Sequence, residues 1–199
     1  MFASKIYNFD DFGLISIMYH RFNEEKYPTT NIQMDIFKKQ LEIIENEGIK
    51  FIHPRNFKQS LSQNKTERKV LFTVDDGLLS FYENAWPILK KKEIPFILFV
   101  NTREVGSFNY MNWEQITELY KSDNVEIGNH SHSHEYLVEE SAKNIEADII
   151  KSIDIFKDKL GENSEFFSYP FGEYSSEFKR IIKDLGFKYA FGQHSGVID

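Results

Sequence analysis

The sequence predicts an α/β fold on a mainly parallel sheet, closed as a (β/α) barrel rather than left open and doubly wound. Three observations carry that expectation. Short β-rich runs alternate with stretches of helical periodicity along the chain, the pattern of repeated βα units. Glycines stand where the helical runs stop, as left-handed C-terminal caps require. Chemically capable polar residues follow several of the β-rich runs, which spreads them around a barrel rim instead of gathering them at one switch point.

Strands are expected at 14–19, 50–53, 69–74, 96–100, 125–128, 166–169 and 188–191. The longest apolar run, Ile94-Pro-Phe-Ile-Leu-Phe-Val100, is far short of the ~20 residues that span a bilayer, so it reads as a buried strand. Helical spacing joins Ile36, Phe37, Gln40, Leu41, Ile43 and Ile44, then Phe81, Ala85, Ile88 and Leu89, then Ile145, Ile149, Ile153 and Phe156. Gly48, Gly161 and Gly186 close helical runs, and Thr30 or Asn31 is placed to cap the first. The stretch 62–69 reads as a polar surface loop, and the charge runs 24–26 and 90–93 as solvated surface. An eight-unit barrel ordinarily takes about 250 residues, whereas this chain of 199 stops directly after the last expected strand. The expectation is one domain over 1–199, a deformed (β/α)7-8 barrel, with C-terminal truncation accounting for the short count.

Composition narrows the function classes. The chain is 41% hydrophobic with 19 Phe, enough for one substantial core. Its formal net charge is −7, and its 24 Lys and Arg are scattered, so a nucleic-acid partner is not expected. With no cysteine there is neither disulfide nor thiolate, and any metal must be held by His and carboxylate. Asp10 and Asp11 interrupt the N-terminal apolar residues before a signal peptide's length is reached, which makes a cytoplasmic location the expectation. No transmembrane segment is expected, and the oligomeric state is left open.

Two motifs point to chemistry. The expected strand Val70-Leu-Phe-Thr-Val ends in Asp75-Asp76-Gly77. At a strand end the chain turns, so both carboxylates can reach one pocket, one to bind metal and one to move a proton. Further on, His130-Ser-His-Ser-His134 places His130 and His134 at i and i+4, co-facial on a helix or a strand; His132 joins them only on a strand. Two imidazoles and a carboxylate suit zinc, and equally cobalt, nickel, manganese or iron, with Asp76 completing the set. Each motif alone is an ordinary turn. A third strand end carries Phe167-Ser-Tyr-Pro-Phe-Gly-Glu-Tyr174, and the coincidence of the three favours a site.

With those residues in view, the chain resembles the polysaccharide deacetylases of carbohydrate esterase family 4, the NodB-homology domain. Thr73-Val-Asp-Asp-Gly77 resembles the family's Thr-Phe-Asp-Asp-Gly, and His130 to His134 its His-Ser/Thr-x-x-His. Ser168-Tyr-Pro-Phe171 stands where many members have Arg-x-Pro-Tyr, and Met18-Tyr-His-Arg21 resembles the subgroup acting on poly-N-acetylglucosamine. The resemblance implies a hydrolase that removes N-acetyl groups from amino-sugar oligomers or polymers with a divalent metal, often in the cell envelope or outside the cell. It implies Asp76, His130 and His134 as metal ligands, Asp75 as general base, and the Phe171 backbone N–H as oxyanion donor. The family arginine that steadies the base is Ser168 here. For the catalytic acid the sequence offers His194 and His20. Two rival functions stand beside this one, deacylation of a small non-sugar amide and carbohydrate binding without turnover. Tyr110, Trp113, Tyr169, Tyr174 and Phe191 are candidates to face a sugar ring, and His53 to line the rim.

Overall fold

The computed structural model describes residues 13–62, 67–194, 196 and 198. The N-terminal segment read above for an export signal, and the centre of the expected loop 62–69, lie outside the described residues. In chain order the elements are β1 (Gly13–Tyr19), β2 (Arg21–Phe22), β3 (Asn31–Ile32), α1 (Met34–Asn46), β4 (Lys50–Phe51), α2 (Phe57–Ser62), β5 (Arg68–Val74), α3 (Trp86–Lys92), β6 (Phe96–Val100), α4 (Trp113–Tyr120), β7 (Val125–Asn129), α5 (Ala142–Leu160), β8 (Phe166–Ser168), α6 (Ser176–Asp184) and β9 (Tyr189–Phe191). No helix among the described residues is long and apolar enough to cross a membrane.

Seven of the strands form one sheet in the order β1-β5-β6-β7-β8-β9, with β4 beside the start of β5. Every pairing is parallel. The expected strands are all present, and β6 has the expected bounds. All five of its residues are buried, as a strand covered on both faces requires, so its sequence runs apolar without alternation. The sheet curls into an incompletely closed barrel. Its two edges, β1 and β9, line one cavity of about 810 Å³, and Ile198 makes an antiparallel bridge to Leu14 on β1.

The barrel interior is a cluster of Leu14, Leu71, Ile97, Phe99 and Phe166, joined by Phe57 of α2. Outside the sheet, α1, α3 and α4 pack over Phe72, Phe96 and Leu98, while α5 and α6 pack over Phe167. Truncating any of these buried phenylalanines to alanine costs about 3–5 kcal/mol. The i, i+4 spacing on α5 places Ile145, Ile149, Ile153 and Phe156 inward, as the sequence indicates. On α1 the buried stripe is narrower than expected: Phe37, Leu41 and Ile44 are buried, and Ile36 and Ile43 face solvent.

Gly48, Gly161 and Gly186 adopt the left-handed conformation after their helices, as expected. The first helix is capped differently. Gln33 holds the cap position, and Asn23, ten residues earlier in a bend with φ 58°, accepts the Met34 N–H at 2.9 Å. Asn31 is occupied elsewhere, accepting from Glu24 N. Glu24 is not solvated surface: it is half-buried and paired with Arg21 at 2.9 Å. The two-residue pair β2–β3 has no sequence signature at that length.

Candidate active site

The site is built where β5, β7 and β8 end. Asp75 extends β5 by one ladder bond, its N–H donating to Tyr19 O at 2.9 Å. Asp76 and Gly77 then turn with φ of 76° and 71°, a conformation that Asp tolerates better than most residues and Gly freely. The reversal sends Asp76 to the rim while Asp75 stays buried, 4% exposed. Asn101, after β6, donates its amide to the Asp76 carbonyl at 3.4 Å and fixes the turn from the neighbouring strand.

The histidine segment is neither helix nor strand. After β7 it bends irregularly, with Ser131 at φ 67° and His134 at φ 52°, and this reversal, not regular periodicity, brings the two rings together at 4.8 Å between centroids. His132 points away and pairs its Nδ1 with Thr102 Oγ1 at 2.9 Å. Every backbone N–H of the loop is satisfied, as a buried irregular segment demands. His130 donates to Val100 O, and Ser131 to Asn129 Oδ1 at 2.9 Å. His132 and Ser133 donate to the two carboxylate oxygens of Asp148 at 2.8 and 3.1 Å. His134 donates to Ser131 Oγ at 3.0 Å and Glu135 to Ser133 Oγ at 3.2 Å. Asp148 lies on α5, one turn before Ser152, whose hydroxyl reaches Asn129 at 3.0 Å. One helix face thus clamps the loop.

The result is a three-donor cluster. Asp76 Oδ1 lies 3.3 Å from His134 Nε2 and 3.6 Å from His130 Nε2, and one ligand atom from each of the three residues lies within 4.8 Å of the others. Burial, opposed by Asp76, pulls the pKa of both His130 and His134 below the usual imidazole value; on His134 the neighbouring His130 lowers it further. Both rings are therefore neutral near pH 7. His130 Nδ1 meets the Ser168 carbonyl at 2.7 Å. A carbonyl only accepts, so Nδ1 carries the proton and the Nε2 lone pair faces Asp76. Two neutral imidazole nitrogens and a carboxylate oxygen are a donor set that fits a divalent ion.

Asp75 stands apart from the cluster, its Oδ2 3.9 Å from His130 Nε2. Burial pushes its carboxyl up to about 7, against the lowering effect of His20; Asp76 adds to the rise and the Ser168 hydrogen bond reduces it. Ser168 Oγ donates to Asp75 Oδ2 at 3.1 Å, while Asp75 Oδ1 is buried without a protein partner. Ser168 therefore holds two residues of the site, its hydroxyl on Asp75 and its carbonyl on His130. Where the family pattern has arginine, orientation comes from this shorter group.

Residues 62–190 match the family described as Polysaccharide deacetylase. The chain belongs to that family. It is 28% identical over 192 residues to the poly-beta-1,6-N-acetyl-D-glucosamine N-deacetylase of Staphylococcus aureus strain MRSA252, covering 89% of this chain and 66% of that protein. The chain thus spans just under two thirds of the length of the curated relatives it matches first. Among solved structures, IcaB from Ammonifex degensii superposes with a TM-score of 0.86 at 28% identity, over 94% of this chain and 86% of that one. The Streptococcus pyogenes deacetylase PplD, solved in complex with acetate, gives 0.83 at 25% identity, over 93% and 85%.

The remaining polysaccharide deacetylase motif is the turn after β8. Phe171, between Pro170 and Gly172, has φ 59° and ψ 7°, and its ring lies 4.9 Å from that of His134. His20, between β1 and β2, is near enough to act on Asp75. His194 lines the same cavity as Asp75 and Ser168 and sets its ring edge-on to Tyr174 at 5.5 Å. His53 is outside the site: its Nδ1 accepts from Arg55 N and its Nε2 bonds to Asp123 O.

Of the expected sugar-facing aromatics, Tyr169 is buried against Phe167 and Phe178, and Trp113 packs on the outer core. Phe191 packs on the barrel interior, and Tyr174 against Tyr169. Tyr110 is half-buried and bridges to Leu78, two residues after Asp76. Asn101 stands at a strand end, as the sequence indicates, whereas sequence reasoning missed Asn129, Asp148 and Ser152, polar residues with no local motif whose positions become meaningful only after folding. It also missed the role of Gly128. A Cβ there would lie 2.3 Å from the ring of Phe99, which is fully buried and packs 6.5 Å from His130 and 5.4 Å from Phe191.

Proposed function

We propose that this chain is a metal-dependent N-deacetylase of N-acetylglucosamine oligo- or polysaccharides, releasing acetate and leaving a free amine on the sugar. The observation that carries the proposal is the pairing of a three-donor cluster, Asp76, His130 and His134, with a separate buried carboxylate, Asp75, beside it. The family description, Polysaccharide deacetylase, and the name of the Staphylococcus aureus relative, a poly-beta-1,6-N-acetyl-D-glucosamine N-deacetylase, support the substrate class.

Asp76, His130 and His134 would hold the ion, zinc being the first choice for this donor set, with cobalt, nickel, manganese or iron as alternatives. When bound, such an ion polarises the amide carbonyl and makes water a nucleophile near neutral pH. Asp75 takes the proton from the attacking water, a role that needs a carboxylate free of the ion and aimed by Ser168. The Phe171 N–H donates to the oxygen of the tetrahedral intermediate, so a phenylalanine serves there as well as a tyrosine. As the carbon–nitrogen bond breaks, the leaving amine takes a proton from an imidazole. His194 and His20 are the two candidates, on opposite sides of Asp75 in sequence and both in its neighbourhood.

The decisive experiment measures acetate released from N-acetylglucosamine oligomers by chelator-treated protein and by protein reloaded with zinc or cobalt. Metal-restored release is the expected result. Metal binding with no release from oligomers leaves two readings, separated by a small amide: turnover there makes the chain a small-amide deacylase, and none makes it a binding protein.

A further inference from the structure

Among the described residues exposed aromatic rings are few, and two of them flank the cluster of Asp76, His130 and His134. Among the described residues the aromatics counted as exposed large hydrophobics are Phe108, Tyr136 and Phe171. Phe108 stands alone at a loop. Phe171 is 51% and Tyr136 41% exposed, yet their rings meet at 5.7 Å with planes inclined by 62°. Phe171 in turn lies against His134 at 4.9 Å. The pair is held in place rather than left to rotate: the Tyr136 hydroxyl donates to Glu173, and Phe171 sits in a tight left-handed turn between Pro170 and Gly172.

Solvent-facing rings held side by side in a fixed orientation offer a contact surface that need not be ordered on binding. Its position limits the occupant. The pair continues the rim directly from a metal ligand, so whatever covers it is attached to the group reacting there. Two inclined ring faces with a carboxylate behind them match a pyranose, whose ring hydrogens form an apolar face and whose edge presents hydroxyl donors.

We propose that Tyr136 and the Phe171 side chain form a subsite for the sugar unit next to the one being deacetylated, making the enzyme prefer oligomers over single sugars. This rests on the deacetylase reading given above. In that subsite Tyr136 is a specificity residue: it touches the neighbouring unit and not the reacting amide.

The test uses the zinc-loaded full chain and two variants, Tyr136→Ala and Tyr136→Phe. Calorimetric titration with an N-acetylglucosamine pentamer reads binding without needing turnover. Acetate release from the monosaccharide and the pentamer reads specificity. One ring stacked on a sugar is expected to contribute about tenfold in affinity. Tyr136→Ala should therefore weaken pentamer binding about tenfold and raise the pentamer KM with little change in kcat, leaving monosaccharide turnover at the wild-type level. Tyr136→Phe, which keeps the ring, should restore most of the affinity.

Unchanged pentamer affinity in Tyr136→Ala would overturn the subsite, as would an equal loss on monosaccharide and pentamer, or a wild-type protein that fails to bind the pentamer. Sedimentation of the wild type and Tyr136→Ala covers the other occupant. If the variant loses self-association and keeps pentamer binding, the pair is a contact between copies and the sugar reading falls. Failure of the wild type to release acetate from any substrate would sink the deacetylase reading, while the pentamer titration would still decide the subsite.

Discussion

The two ends of the parallel sheet are built to different rules. At the C-terminal ends of β5 to β8 the backbone is forced and polar atoms are left over. Four non-glycine residues there, Asp76, Ser131, His134 and Phe171, have positive φ, and Asp75 Oδ1, Asn101 Oδ1 and Asn129 Nδ2 are buried without a protein partner. At the N-terminal ends such features are fewer, Glu93 at φ 54° before β6 and Asn163 Oδ1 buried without a protein partner before β8, and exposed ion pairs predominate, Lys50 with Glu67, Arg55 with Glu126 and Lys188 with Glu165. Positive φ outside glycine and unpaired buried polar groups each cost of order 1–3 kcal/mol, whereas an exposed pair contributes under about 1 kcal/mol. The difference teaches where stability has been given up for chemistry.

That contrast can be broken by substitution, and the largest effects are expected at the three residues proposed to hold the ion. Asp76→Ala or His134→Ala should lower kcat/KM by about 10³-fold or more, from the several kcal/mol that an ion supplies, with metal content by atomic absorption falling in parallel. A variant with full metal and full activity would remove the cluster from the mechanism.

Asp75→Asn should retain metal and lose about 10²–10⁴-fold in kcat. It also tests the cost of burying a charge. In the folded metal-free protein burial raises the Asp75 carboxyl to about 7, so the acid form is favoured on folding. Its contribution to stability is present below the unfolded carboxylate value near 4 and is lost as pH rises through 7. Chelator-treated Asp75→Asn should therefore melt several degrees above the parent at pH 8 and level with it at pH 4. Equal melting temperatures at both values would contradict a buried, charge-disfavouring site.

Next comes the clamp. Asp148→Ala removes both acceptors for the His132 and Ser133 N–H groups and should weaken metal affinity by about 10–100-fold, measured by competition with a chromogenic chelator. With saturating metal, most of the turnover should return. Asp148→Asn, which keeps one carbonyl oxygen, should lose less. A smaller effect is expected from Ser168→Ala, because the carbonyl that holds His130 survives. Loss of the hydroxyl raises the Asp75 carboxyl, so the acidic limb of the pH–rate profile should move upward, with less than about tenfold lost at its plateau. At the opposite end of the sheet, Lys188→Ala should change stability by under about 1 kcal/mol and leave acetate release unaltered. A large effect there would erase the distinction between the two ends.

How much of this was legible in the sequence depends on the range of the interaction. β6 was readable to the residue because burial on both faces writes an uninterrupted apolar run, and α5 because its core spacing persists from Ile145 to Phe156. Asp76, His130 and His134 could be named because their residue types are rare in combination and each stands at a strand end. The way the histidines meet was not readable: their i, i+4 spacing suggested regular structure, and a loop held by Asp148 delivers them instead. The same holds for Asn23 capping α1 and Phe57 packing on the barrel interior. These depend on where distant segments arrive, which local periodicity does not encode. The aromatics weighed for a sugar face show the same limit: Tyr169 and Trp113 were taken into cores, as large aromatic side chains usually are, and Tyr136 and Phe171 were left outside.

The ring of Phe99 lying over Gly128 has an evolutionary consequence. A methyl group at position 128 would lie 2.3 Å from a buried ring that also packs on His130, so Gly128→Ala disturbs the centre without replacing any of the three clustered residues. The set of sequences that can build this centre is thus narrower than Asp76, His130 and His134 alone imply. A library diversified along β7 in search of new substrates will lose its functional members at position 128 first, through volume, before any change in reactivity is sampled.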